Sequence, residues 1–173
     1  MRYVAFLGGI NVGGHRVKMD RLRDELAALG YDDVATFIAS GNVILTSRKR
    51  AATLELEIEA RLHDALGYAV PTFVRPATDV SSIASHRPWG TVPSGHTLMV
   101  WFLRSRPDAD ATAATHALAN DRDRFAVVGT ELYQQVAGGF SDSSVTAKVL
   151  ARTLGRPATA RNTTSVGKLA AIL

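Results

Sequence analysis

Tyr3-Val4-Ala5-Phe6-Leu7-Gly8-Gly9-Ile10-Asn11-Val12-Gly13-Gly14 follows directly on Met1 and Arg2. Five residues suited to a buried strand stop at four glycines and one asparagine within seven positions. The run reads as a first strand. The stop reads as a turn whose backbone needs conformations open to glycine and, less readily, asparagine.

Working outward, Lys18 to Leu29 places Met19, Leu22, Leu26 and Leu29 at helical spacing, with an Arg21–Glu25 pair and Gly30 as the stop. Val34–Ile38 and Val43–Thr46 are short β-rich runs around Ala39-Ser40-Gly41-Asn42, a turn signal. Thr53 to Leu66 puts Leu54, Ile58, Leu62 and Leu66 on one helical face, with Glu57–Arg61 outside and Gly67 after the end. Val70–Val74 is a further strand closed by Pro76. The order is β-α-β-β-α-β, the ferredoxin-like unit of an antiparallel sheet with two helices on one face.

A weak helix spans Ala77 to His86, and the Pro- and Gly-rich stretch up to Gly95 reads as a linker. Trp89 within it reads as packing onto a neighbouring surface. The pattern then repeats. Thr97–Leu103 is a central strand and Asp108 to Leu118 an Ala-rich helix. Phe125–Val128 and Leu132–Val136 flank the hairpin signal Gly129-Thr130. Ser144 to Leu154 is a helix capped by Ser141, Asp142 or Ser143. Ala158–Ala160 is a short strand, and Asn162 caps a last helix from Thr163 to Ile172. The expected fold class is α+β: two ferredoxin-like βαββαβ subdomains, residues 1–76 and 97–173, joined by a helix and linker at 77–96, with a C-terminal helix added. A single mixed sheet shared by both halves is the rival.

The absence of cysteine removes disulfides, thiolate catalysis and zinc ribbons. No stretch approaches the roughly 20 apolar residues of a membrane span, and the N-terminus lacks a secretory cleavage pattern, so the expectation is a cytoplasmic protein away from membranes. The +4 net charge is small and dispersed, Arg48-Lys49-Arg50 being its one tight cluster. An anionic partner or merely a solvated surface would account for it.

Three polar segments open helices: Gly8–Lys18, Gly138–Ser144 and Arg161–Thr164. Free N–H groups and the positive dipole end at a helix start can hold an anion. In the first, Gly9, Gly13 and Gly14 shape the turn, Asn11 orients a polar ligand with Asn42, and His15 is a candidate base or anion contact. Ser40 and Ser143 add hydrogen bonds. Arg161 and Lys168, beside Asn162, pair the charge. Together these define a cleft for a small anionic or polar ligand. Neither the dinucleotide fingerprint nor a Walker loop is present. No histidine or carboxylate pattern calls for a metal, and no cofactor is expected. The alternatives are an RNA- or protein-binding module, or motifs that serve only turns and caps. For RNA, the strand aromatics Tyr3, Phe6, Phe37, Phe73, Trp101, Phe102 and Tyr133 sit in apolar surroundings and read mostly as core. Oligomeric state and any catalytic step are not encoded legibly.

Phe6-Leu7-Gly8-Gly9-Ile10-Asn11-Val12-Gly13-Gly14 resembles the Leu-Arg-Gly-Ile-Asn-Val-Gly-Gly opening of the bacterial DUF1697 family of unknown function. Phe37-Ile38-Ala39-Ser40-Gly41-Asn42-Val43-Ile44 is similar to its Tyr-Ile-Gln-Ser-Gly-Asn-Val-Val segment. Ala158-Thr159-Ala160-Arg161-Asn162 and Val166-Gly167-Lys168-Leu169 look like its C-terminal Ala-Thr-Thr-Arg-Asn-Trp and Val-x-Lys-Leu stretch. The resemblance implies a compact α+β fold of two subdomains and brings no substrate or reaction. Gly8 stands where the family usually has arginine, Asp142 and Ser144 where it tends to arginine and lysine, and Thr163 where it has tryptophan. A charge-assisted contact is worth about 1.5–3 kcal/mol. If the family binds an anion, this member should therefore bind it more weakly or bind something else.

Overall fold

The computed structural model describes residues 1–11, 14, 16–38 and 41–173. The chain folds as two compact units, Met1–Val80 with Leu173, and Ser81–Ile172.

In the first unit the elements run β1 (Arg2–Leu7), α1 (Met19–Ala27), β2 (Asp32–Phe37), β3 (Asn42–Thr46), α2 (Ala51–Leu66) and β4 (Thr72–Pro76). The four strands form one antiparallel sheet in the order β2-β3-β1-β4. Period-two alternation turns Tyr3, Ala5, Leu7, Val43, Leu45 and Val74 to one face, where they pack with Leu22 and Leu26 of α1 and Leu54, Ile58 and Leu62 of α2. Each such buried aliphatic side chain contributes about 1.5–3 kcal/mol, so these two helices are held by their packing.

The edge strand β2 is mostly exposed, and its register is broken between Asp32 and Ala35. A bulge and two acids on an edge discourage pairing with another strand. The Glu57–Arg61 pair expected on α2 is replaced by better-placed partners. Arg61 Nη2 meets Glu25 of α1 at 2.7 Å. Glu57 accepts from Lys49 Nζ at 2.6 Å and from the Tyr31 hydroxyl at 2.7 Å. The Lys49 and Tyr31 bonds hold the Glu57 carboxyl below the usual carboxylate range.

Helix α3 (Ala77–Ser85) leads into the second unit. There the order is β5 (His96–Phe102), α4 (Ala109–His116), β6 (Asp123–Val128), β7 (Glu131–Ala137), a 3-10 turn at Phe140–Asp142, α5 (Ala147–Leu154), β8 (Thr159–Asn162) and α6 (Thr163–Ala170). The sheet order β6-β7-β5-β8 repeats that of the first unit, again antiparallel throughout. The expected α+β fold with two βαββαβ halves is therefore present, and the shared mixed sheet is not.

Gly129, at φ 64°, and Thr130 form the expected two-residue hairpin loop between Val128 and Glu131. Trp101, Leu103, Phe125 and Leu132 of the sheet bury against Leu150 and Leu154 of α5. Among the described residues no helix is long and apolar enough to cross a membrane.

One helix start differs from expectation. α5 does not begin at Ser144 under Ser141, Asp142 or Ser143; it begins at Ala147, and Thr146 caps it by accepting from Val149 N. The earlier polar residues are spent on the loop. Asp142 Oδ2 accepts from Gly139 N at 2.8 Å, and a Cβ on Gly138 would lie 2.5 Å from that oxygen. The acid at 142 thus clasps a glycine turn that closes over it.

Candidate functional site

In the first unit the two glycine-containing motifs form one junction. Leu7 N donates to Gly41 O at 2.8 Å, which ties the end of β1 to the corner before β3. Gly9 and Asn11 both adopt positive φ, 73° and 56°, and Gly14 follows at 92°. Asn11 Oδ1 accepts from Val17 N at 2.7 Å and closes the turn over six residues. Asn42 is buried at the start of β3 opposite Phe6, and its Nδ2 donates to Phe37 O at 3.3 Å across the corner. These groups do the work of turn and register. Gly13, His15 and Ser40 lie outside the described residues.

Replacing Asn11 by alanine removes the bond to Val17 and puts a Cβ-bearing residue without a compensating side chain into left-handed backbone. The expected loss is about 1–2 kcal/mol. Asn11→Gly should cost less, since glycine adopts the left-handed backbone without strain. Chemical denaturation of both variants checks the order.

In the second unit, Ser143 belongs to a buried polar chain. The Trp101 indole N–H donates to Gln134 Oε1 at 2.8 Å, and Gln134 Nε2 donates to Asp123 Oδ1 at 2.7 Å and to Ser143 Oγ at 2.9 Å. The Ser143 hydroxyl donates to the same Asp123 oxygen at 2.7 Å. Asp123 is 1% exposed, so these donors replace the water that its carboxyl oxygens would otherwise meet. Arg161, on β8 opposite Val100, is 8% exposed. Its Nη1 donates to Thr159 Oγ1 and Ala160 O, each at 2.8 Å, and burial pushes its pKa down to about 10. Lys168 is exposed in the last turn of α6, where a cation complements the helix dipole.

Asn162 is the expected cap of α6, its Oδ1 accepting from Thr164 N at 2.8 Å. It also lines a cleft of about 550 Å³ with Arg87, Thr91, His96, Thr97, Thr163 and Thr164. A groove of about 520 Å³ shares Arg87, Thr163 and Thr164. Arg87 and Thr91 come from the Pro- and Gly-rich segment after α3, His96 and Thr97 from the start of β5, and Asn162, Thr163 and Thr164 from the β8–α6 junction.

Arg87 Nη1 donates to the carbonyls of Ala84 and His86, both at 2.8 Å, so the end of α3 holds the guanidinium. Among the described residues its Nε and Nη2 meet no partner. Thr163 is buried and its hydroxyl donates to Leu98 O at 3.0 Å. Thr97 donates to Gly138 O at 2.8 Å. His96 Nδ1 faces Ser94 O at 3.3 Å. Of the residues singled out in the sequence, Asn162 lines this cleft; Ser143, Arg161 and Lys168 do not.

The family model described as protein of unknown function, DUF1697, matches residues 1–133. The chain belongs to this family. The DUF1697 protein is similar in structure to the conserved bacterial protein SP0830 from Streptococcus pneumoniae. Identity is 25%, the TM-score is 0.76, and the match covers 99% of this chain and 97% of that one. Among curated proteins none matches. In this DUF1697 member Gly9, Asn11, Gly14 and Gly41 all adopt positive φ at the two glycine-containing turns. Beyond the matched residues, Asp142 ties the Gly138–Gly139 turn.

Proposed function

We propose that this protein binds a small ligand through a phosphate or carboxylate group in the cleft at the start of α6. The supporting observation is Arg87, whose guanidinium is fixed through Nη1 while its Nε–Nη2 edge is unengaged in the cleft. That edge is the fork that grips two oxygens of an oxyanion. Asn162 spends its Oδ1 on the helix cap and keeps Nδ2 to donate, and the exposed Thr164 hydroxyl lies in the same lining. The volume is that of a small-molecule site. A cytoplasmic setting, where phosphorylated metabolites abound, suits this reading.

In this reading Asn11, Asn42, Ser143 and Arg161 serve turn, register and core, and Asn162 is shared between cap and ligand. An RNA platform has less support, because Tyr3, Phe6, Phe73, Trp101, Phe102 and Tyr133 are buried.

Calorimetric titration with inorganic phosphate and AMP tests the proposal. Arg87→Ala should weaken binding by about 1.5–3 kcal/mol, the worth of a charge-assisted contact. Its unfolding should stay close to wild type, since Arg87 is exposed. Equal binding by the variant, or failure of wild type to bind inorganic phosphate, AMP and a simple phosphodiester alike, would refute it.

A further inference from the structure

The cleft and the groove share Arg87, Thr163 and Thr164 and otherwise have different walls. On one side lie Thr91, Val92, His96 and Leu98; on the other Ser81, Ser85, Gly167 and Ala171. The one cation common to both thus sits at a waist between two lobes of about 550 and 520 Å³. We propose that the ligand is a phosphodiester, with its charged phosphorus group at Arg87 and one substituent in each lobe.

This rests on the oxyanion reading above and adds the ligand's connectivity. A carboxylate or a phosphate monoester carries a single substituent and would leave one lobe to water. A diester carries two and still offers two non-bridging oxygens, the number that the Nε–Nη2 fork accepts. Apart from the His96 ring, no aromatic side chain lines either lobe among the described residues. The walls are hydroxyls, small side chains and short aliphatics, which suit sugar- or glycerol-type substituents better than stacked bases.

Such a diester has two chemical sources, a dinucleotide or a glycerophospho headgroup. The experiment titrates the full chain with inorganic phosphate, AMP, adenylyl-adenosine and glycerophosphoethanolamine. A monoester carries more charge than a diester near neutral pH, so charge alone ranks AMP first. The proposal requires the reverse: at least one diester binding ten-fold or more tighter than AMP. Tighter adenylyl-adenosine indicates the dinucleotide source, and tighter glycerophosphoethanolamine the headgroup source.

Ser85→Trp and Ala171→Trp, both at exposed positions, fill the second lobe. Either should bring diester affinity to the monoester level and leave the binding of inorganic phosphate, which has no substituent to place, unchanged. AMP binding as tightly as both diesters, or diester affinity indifferent to both tryptophans, would overturn the diester assignment while leaving the oxyanion site standing. Absence of binding by all four compounds would remove both.

Discussion

Replacing Trp101 by alanine is expected to destabilise the second unit by about 3–5 kcal/mol, the usual cost of deleting a large buried ring. Trp101 is 1% exposed and packs among Leu103, Phe125, Leu132, Val145, Leu150 and Leu154. Its loss also strips Gln134 Oε1 of the indole donor at 2.8 Å, leaving an unsatisfied acceptor in the chain that supports Asp123. Trp101→Phe separates the two effects: it keeps most of the volume and loses the bond, for about 1–3 kcal/mol. Far-UV circular dichroism in denaturant is the suitable probe, because the substitution removes one of only two tryptophans. A Trp101→Ala midpoint equal to wild type would contradict the assignment of this network to the core.

Gly41→Ala should cost about 2–4 kcal/mol, combining left-handed backbone strain with overpacking. Gly41 has φ 74°, and a Cβ there would lie 3.0 Å from Ile10 Cγ2 and 3.2 Å from Leu7 Cβ. Both neighbours are buried, so neither can withdraw. Gly9 is the control. Its φ is 73°, but among the described residues an added Cβ meets nothing within 4 Å, so Gly9→Ala should show the backbone strain alone, about 1–2 kcal/mol. Equal losses at the two positions would show that the two motifs do not press together as described.

Continuous apolar runs in Tyr3–Leu7 and Thr97–Leu103 and helical spacing in Leu54–Leu66 are local signals, and each appears as the expected element within a few residues. The repeated order then fixed the two sheets. Boundaries moved where several residues compete for one task. Ser141, Asp142, Ser143 and Thr146 can all cap a helix, and which one does depends on Asp142 and Ser143 being drawn into other bonds. Partner choice was similarly hidden: Arg61 prefers Glu25 on a neighbouring helix to Glu57 on its own.

The proposed site was the least legible part. Asn162 was visible as a cap, but Arg87 sits in a stretch whose prolines and glycines mark it as a connector. Nothing local joins it to the start of α6. Conversely Ser143 and Arg161 look like ligand contacts in sequence because polar residues near glycines and helix starts serve both roles. In the structure Arg161, at 8% exposure, donates to Thr159 and Ala160 of its own strand, and Ser143 donates to Asp123.

A crystal of the full chain grown or soaked with phosphate or AMP tests the central claim most directly. The account predicts an oxyanion within hydrogen-bond distance of Arg87 Nε and Nη2 and of Asn162 Nδ2. Ligand seated at the Gly9–Gly14 turn with the Arg87 fork unoccupied would contradict it.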